Sequence, residues 1–241
     1  MKMDNKTAVI IVAGGSGKRM KTKEPKQFLS LLGKPVLFHS ILPFQQSPKV
    51  REIILVVPPG DLEWCQKNIV SRFGLSKVTR IVAGGKERID SVREGLNAVD
   101  PQTDYIAVHD GARPLIDCET IERVFDGALE TGAAMLVQPM TDTVKKVDGS
   151  GNVIKTIPRH DLRLAQTPQI FRAEWLRKAY DLLPENLQAT DDASVVEHAG
   201  YQIKTVCGEK INVKITTPAD LTVAAFILSQ RRKEHEDRDR I

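Results

Sequence analysis

Ala13-Gly14-Gly15-Ser16-Gly17-Lys18-Arg19-Met20 sets three glycines directly after an apolar run and follows them with two cations. Without a Cβ, glycine lets the backbone come close to a phosphate chain and aim its N–H groups at the oxygens. The stretch is not GxxxxGK[ST], because the spacing and the terminal Ser/Thr are absent, and it matches GxGxxG poorly. A glycine-rich turn alone belongs to any strand-to-helix crossover. Arg19 and then Pro25-Lys26-Gln27 give it a sharper meaning. Negative charge builds on phosphate oxygens as the bond to a leaving group stretches, and preorganised cations stabilise it. Arg offers a planar fork and Lys a point charge, so the pair can hold different oxygens.

A second constellation is His109-Asp110-Gly111-Ala112-Arg113-Pro114. Asp110 is the candidate ligand for Mg²⁺, which typically takes one or two carboxylates together with substrate phosphates and waters. Arg113 is near enough in sequence to face the same cleft. His109 is read as structural, since no second histidine stands at metal-ligand spacing. Cys65, Cys118 and Cys207 are scattered, with no CxxC pair. They argue against a disulfide framework or a zinc site and fit a reducing cytoplasm. No Ser–His–Asp or Cys–His set suggests an activated nucleophile.

These residues need a scaffold. Near-continuous apolar runs at Thr7–Val12, Glu52–Val57, Val78–Val82, Tyr105–His109 and Ala134–Pro139 predict parallel strands covered on both faces. Between them, helical periodicity covers Val36–Gln45, Asp61–Arg72, Arg88–Ala98 and Cys118–Glu130. Pro35 suits a first helical turn, and Asp61 and Asp117 suit N-caps. The alternation predicts an α/β fold with a doubly wound, mostly parallel, Rossmann-like sheet. Such sheets bind ligands at the carboxyl ends of their strands, near the topological switch point. The glycine run follows the first strand and Asp110 follows the fourth, so both fall on that edge.

Thr143–Val147 and Asn152–Ile157 flank Asp148-Gly149-Ser150-Gly151, a strong hairpin turn. With no helix between its strands, this hairpin is expected to project as an arm over residues 140–166, for edge protection or dimer contact. Helices at Ala173–Leu183 and Asp191–His198, strands at Gln202–Val206 and Asn212–Ile215, and a helix at Pro218–Gln230 are expected to finish a single domain over residues 1–230. The charged tail, residues 231–241, mixes signs and reads as a frayed helix end or disorder.

AGGSGKRM, PKQFL, GGKERIDSV and HDGARP, in this order, resemble the cytidylyltransferases of the non-mevalonate isoprenoid pathway. Asp142-Thr143, Gln166-Thr167-Pro168-Gln169, Thr190-Asp191-Asp192-Ala193-Ser194 and Asn212-Val213-Lys214-Ile215-Thr216 extend the resemblance from Val9 to Ala225. Enzymes of that family couple CTP to 2-C-methyl-D-erythritol 4-phosphate and release pyrophosphate. The resemblance implies that Arg19, Lys26 and Lys214 are catalytic cations around the reacting phosphorus. It implies that Ala13, Gly14, Gly15, Gly85, Lys86 and Ser91 read the nucleotide, with Asp110 holding Mg²⁺. It assigns Arg113, Thr167 and Thr190 to the acceptor side. It also implies that Thr143 and Arg159, on the arm, reach the sugar phosphate of a neighbouring subunit in a homodimer. Gly15 and Lys86 stand where relatives vary, which backbone contacts tolerate.

An acceptor phosphate oxygen is already ionised and needs no general base. The obstacle is anion meeting anion, and the remedy is cationic alignment of an in-line attack. Covalent catalysis by Lys26 is disfavoured, since the acceptor is itself a competent nucleophile. Competing readings are a ribitol 5-phosphate cytidylyltransferase, a sugar-1-phosphate nucleotidyltransferase and a non-catalytic nucleotide sensor on the same fold.

Composition excludes other classes. The 241-residue chain has 35 Lys and Arg against 31 Asp and Glu, a net charge of only +4, which does not suggest a nucleic-acid binder. The apolar run Ala8–Ala13 is too short for an export signal or a membrane span. No membrane partner is expected, and the cytoplasm is the expected compartment.

Overall fold

The computed structural model describes residues 6–15, 20, 24–184, 189–208 and 211–238. Five strands of the central sheet follow the apolar runs: β1 (Thr7–Val12), β4 (Glu52–Val57), β5 (Val78–Ala83), β6 (Tyr105–Asp110) and β7 (Ala133–Pro139). A small hairpin, β2 (Ser30–Leu31) and β3 (Lys34–Pro35), precedes helix α1 (Val36–Gln46). Helices α3 (Arg88–Ala98) and α4 (Cys118–Thr131) complete the crossovers. Further on lie β8 (Val144–Val147), β9 (Val153–Ile157), β10 (Arg163–Arg172), α5 (Ala173–Asp181), α6 (Asp192–His198), β11 (Lys204–Cys207) and α7 (Pro218–Arg238).

The seven-stranded sheet runs β5-β4-β1-β6-β10-β7-β11. From β1 the chain builds outward through β4 and β5, then returns to lay β6 on the other side of β1. The switch point therefore lies between β1 and β6, whose last residues Val12 and Asp110 are paired. All neighbours in the sheet are parallel except β10, which is antiparallel to both β6 and β7. Alternate residues of β1 feed two cores. Val9 and Ile11 pack with Leu37, Phe44 and Phe125 of α1 and α4. Ala8 and Ile10 pack with Val92, Leu176 and Val196 of α3, α5 and α6. Both faces are thus covered, which is why these strands read as unbroken apolar runs.

The structure departs from the sequence expectation in four places. Strand β10 was not expected: Gln166, Thr167 and Gln169 break the alternation, and Pro168 within a run argues against a central strand. Pro168 fits because the ladder to β7 shifts register between Ala165 and Gln169, a bulge where a proline costs no ladder bond. Asn212–Ile215, expected as a strand, joins no ladder. It is held instead by the Ile215 N–H on the Ala112 carbonyl, 2.8 Å. The helix expected at Asp61–Arg72 is a 3₁₀ turn (Pro59–Asp61), one α turn α2 (Leu62–Cys65) and a wide π segment (Gln66–Ser71). Asp61 makes no side-chain cap bond there. The Gln66 amide reaches the Ser71 hydroxyl at 3.1 Å, a five-residue spacing that a π turn brings into line. Lastly, α7 does not stop at Gln230 but continues to Arg238.

As expected, Asp117 caps α4, accepting the Thr120 N–H at 2.7 Å. Asp191, expected inside its helix, caps α6 instead, accepting the Ser194 N–H at 3.0 Å. β8 and β9 form a separate two-stranded antiparallel sheet. The Asp148 carboxylate closes its turn by accepting from the Ser150 and Asn152 amides, 2.9 Å each. Val147, Val153 and Ile154 on this hairpin are half exposed or more.

Candidate active site

A cleft of about 340 Å³ opens at the carboxyl ends of β1, β5 and β6. Its walls include Ala13, Gly14 and Gly15 after β1, Gly85 and Lys86 before α3, Ser91 within α3, and Lys26, Asp110 and Lys214. Residues far apart in the chain therefore meet at the predicted edge. Arg19 lies outside the described residues.

The glycine segment is tied down from behind. The Ala13 N–H donates to the Val56 carbonyl at 2.7 Å, and the buried Gln27 amide donates to the Ala13 carbonyl at 2.6 Å. Gln27 lies next to Lys26, so one bond registers the lysine against the glycines. Lys26 Nζ in turn donates to the Ile215 carbonyl at 2.9 Å, which links it to the segment bearing Lys214. On the opposite wall the approach is close. A Cβ on Gly84 would sit 2.8 Å from Ser91 Oγ, and one on Gly85 would sit 2.2 Å from Asp90 Cβ. Only glycine allows this turn to press against α3.

Asp110 is the electrostatic centre. Its side chain is 9% exposed. Oδ2 accepts from Lys214 Nζ at 2.9 Å and from Arg113 Nε at 3.3 Å, and Oδ1 accepts from Arg88 Nε at 3.3 Å. Burial alone pushes its carboxyl pKa up. Lys214 foremost, then Arg88 and Arg113, outweigh that and hold it well below the usual carboxylate range. With about four lone-pair sites on a carboxylate, Oδ1 keeps capacity for a further ligand. A single carboxylate shared with phosphate oxygens suits Mg²⁺. Among the described residues no group of three or more His, Cys, Asp and Glu could hold a metal by itself.

His109 explains how that carboxylate is seated. It is fully buried, and its Nε2 faces the Arg113 carbonyl at 3.4 Å. A carbonyl only accepts, so Nε2 carries the proton and Nδ1 accepts from the Thr167 hydroxyl at 3.0 Å. The Asp110 N–H then donates to Thr167 Oγ1 at 3.1 Å. Burial lowers the His109 pKa to about 3, so the ring is neutral, as a structural role requires.

Of the expected acceptor residues, Arg113 and Thr167 contact Asp110 directly, though Thr167 is buried behind it. Thr143, Arg159 and Thr190 are exposed and do not line this cleft. Arg159 donates to the Thr141 carbonyl at the base of the arm. Sequence reasoning missed Arg88, Glu87 and Gln27. Arg88 bridges Asp110 and Asp192, the latter at 2.7 Å. A charge in a first helical turn reads as solvated, and only the ERID run hinted otherwise.

Residues 7–230 match the family model "IspD: 2-C-methyl-D-erythritol 4-phosphate cytidylyltransferase". The chain is 42% identical to the 2-C-methyl-D-erythritol 4-phosphate cytidylyltransferase of Alkaliphilus metalliredigens, over 96% of this chain and 97% of that one. It is 45% identical to the bifunctional enzyme IspD/IspF of Desulforudis audaxviator, covering 92% of this chain and 56% of that one. Among solved structures it is similar to 4-diphosphocytidyl-2C-methyl-D-erythritol synthase from Anaerococcus prevotii, with TM-score 0.81 and 30% identity over 94% and 99% of the two chains.

Proposed function

Since this chain belongs to the 2-C-methyl-D-erythritol 4-phosphate cytidylyltransferase family, we infer that its cleft carries out that family's reaction with the side chains described above. The enzyme transfers a cytidylyl group from CTP to 2-C-methyl-D-erythritol 4-phosphate, in the non-mevalonate route to isoprenoids. The observation that carries the residue assignment is the convergence of Lys26, Lys214 and Asp110 on a glycine-walled cleft at the switch point.

The glycine segment Ala13–Gly15 and the Gly85–Lys86 turn, with Ser91 behind it, hold the nucleotide. Lys26, Lys214 and Arg19 neutralise the charge that builds on the α-phosphate as pyrophosphate departs. Asp110 would hold Mg²⁺, which when bound offsets triphosphate charge. Lys214 is bonded to Asp110 and so is aimed into the cleft by the protein's own contacts. That preorganisation spares the reorganisation that would otherwise slow the step. The acceptor's phosphate oxygen attacks as an anion, and neutral, buried His109 takes no proton from it.

The acceptor side is proposed to involve Arg113 and Thr190 of one subunit and Thr143 and Arg159 of a partner in a homodimer. Two facts support this. The arm's Thr143 and Arg159 are exposed and do not line their own cleft, and Val147, Val153 and Ile154 leave apolar surface on the hairpin. No described helix is long and apolar enough to cross a membrane, and action in the cytoplasm fits the free cysteines.

The test is pyrophosphate release measured with CTP, UTP, ATP and GTP, each against methylerythritol 4-phosphate and ribitol 5-phosphate, with and without a divalent cation. CTP with methylerythritol 4-phosphate is expected to dominate, and only with the cation present. Preference for ribitol 5-phosphate, or for another nucleotide, would overturn the assignment.

A further inference from the structure

The Thr190-Asp191-Asp192 run carries one residue to which the reading above gives no task. Asp192 is fully buried at the first turn of α6. One oxygen accepts from the Tyr180 hydroxyl at 2.7 Å, and the other from Arg88 at 2.7 Å. Tyr180 is itself 3% exposed. The helix bearing Asp192 is seated on β10. Gln169 donates to the Asp191 carboxylate at 2.8 Å and accepts the Ala193 N–H at 2.8 Å. The carboxylate is thus fixed by its helix, by its backbone neighbours and by a phenol.

Arg88 is what it holds. This arginine is the first residue of α3, directly after the Gly85–Glu87 turn that walls the nucleotide side of the cleft. Its guanidinium spans two carboxylates on different elements, Asp192 on α6 and Asp110 on β6. The bond to Asp192 is the shorter, 2.7 Å against 3.3 Å, so Asp192 sets the plane of the fork and Asp110 receives what that plane allows. A buried ion pair is weak evidence for stability, because well-packed apolar residues often do as well. A pair that ends in the cleft has another use, which is to register one wall against the other.

We propose that Asp192, braced by Tyr180, is a positioning residue for nucleotide binding that acts through Arg88. It locks the N-terminal turn of α3 at a fixed distance from Asp110. The inference rests on the cytidylyltransferase reading and extends it to a residue that touches no substrate.

Asp192→Asn keeps the shape and removes the charge. The KM for CTP is expected to rise about tenfold, within the range measured for coupled buried networks. The KM for the acceptor should stay within about twofold. Tyr180→Phe should shift the CTP KM the same way by less. In an Arg88→Met background, Asp192→Asn should add less than about a further twofold, since its route is gone. Thermal melting of each variant separates loss of fold from loss of register. If Asp192→Asn does not fold, Tyr180→Phe and its combination with Arg88→Met decide the matter on the same criteria. Equal shifts in both KM values, or full additivity with Arg88→Met, would overturn the proposal. A wild-type protein that releases no pyrophosphate from CTP and methylerythritol 4-phosphate would instead overturn the function on which it rests.

Discussion

Three cations of the cleft have internal partners: Lys214 and Arg88 on Asp110, and Lys26 on the Ile215 carbonyl. They are therefore pointed and not merely present, which separates this site from a charged surface. Lys26→Ala is expected to cut turnover by at least about a hundredfold, the scale for losing one preorganised donor, with little change in melting temperature. Pyrophosphate release checks the rate, and a near-normal rate would remove Lys26 from the chemistry. Much of this was legible in the sequence. Ala13–Gly15, Lys26, Gly85, Asp110 and Lys214 fall where the motifs put them. Arg88 was not legible, because nothing local shows that a helix-start arginine meets carboxylates 22 and 104 residues away.

At the scale of elements, local periodicity was enough for the parallel strands and their helices, whose faces are set by burial on both sides. It failed where long-range contacts override local preference. β10 is a polar, proline-bearing segment made into a strand by two antiparallel neighbours. Asn212–Ile215 alternates like a strand yet is claimed by Ala112 and Arg113. The start of α7 adds a further anchor just past that segment. Asp220 accepts from the Thr216 N–H and hydroxyl at 2.8 Å each and from the Thr217 N–H at 2.7 Å, just beyond Lys214. Asp220→Ala should cost about 1 kcal/mol, the usual scale for a lost cap, and should lower turnover by loosening Lys214. Burial works against the ionised Asp220, but those bonds outweigh it and depress its pKa below 3.8. A carboxylate with a depressed native pKa stabilises above its unfolded value, and that contribution fades as pH falls through the native one. The melting difference between wild type and Asp220→Ala should therefore be full at neutral pH and shrink below about pH 4.

For the molecule as a whole, the arm decides whether one chain makes a complete enzyme. If Arg159 serves a partner's cleft, Arg159→Ala and Lys26→Ala should each be nearly inactive alone. Mixed and allowed to exchange subunits, they should recover roughly a quarter of wild-type activity, because half of the dimers then hold one site intact in both respects. No recovery, with exchange verified by mass, would place Arg159 in its own chain's reaction. The hairpin's existence was plain from Asp148–Gly151, whereas its direction relative to the cleft was not, since turn chemistry fixes strand pairing but says nothing about distant surfaces.

Strand β10 also governs the order in which the enzyme can be finished during synthesis. β1, β4, β5 and β6 are parallel neighbours that leave the ribosome early. Yet the amide of Asp110 waits for Thr167, and one edge of β6 stays unpaired until Gln169–Arg172 emerge. A nascent chain halted in the arm would thus present a nearly built nucleotide wall with an open sheet edge beside it. That edge is the stretch most in need of shielding before translation ends.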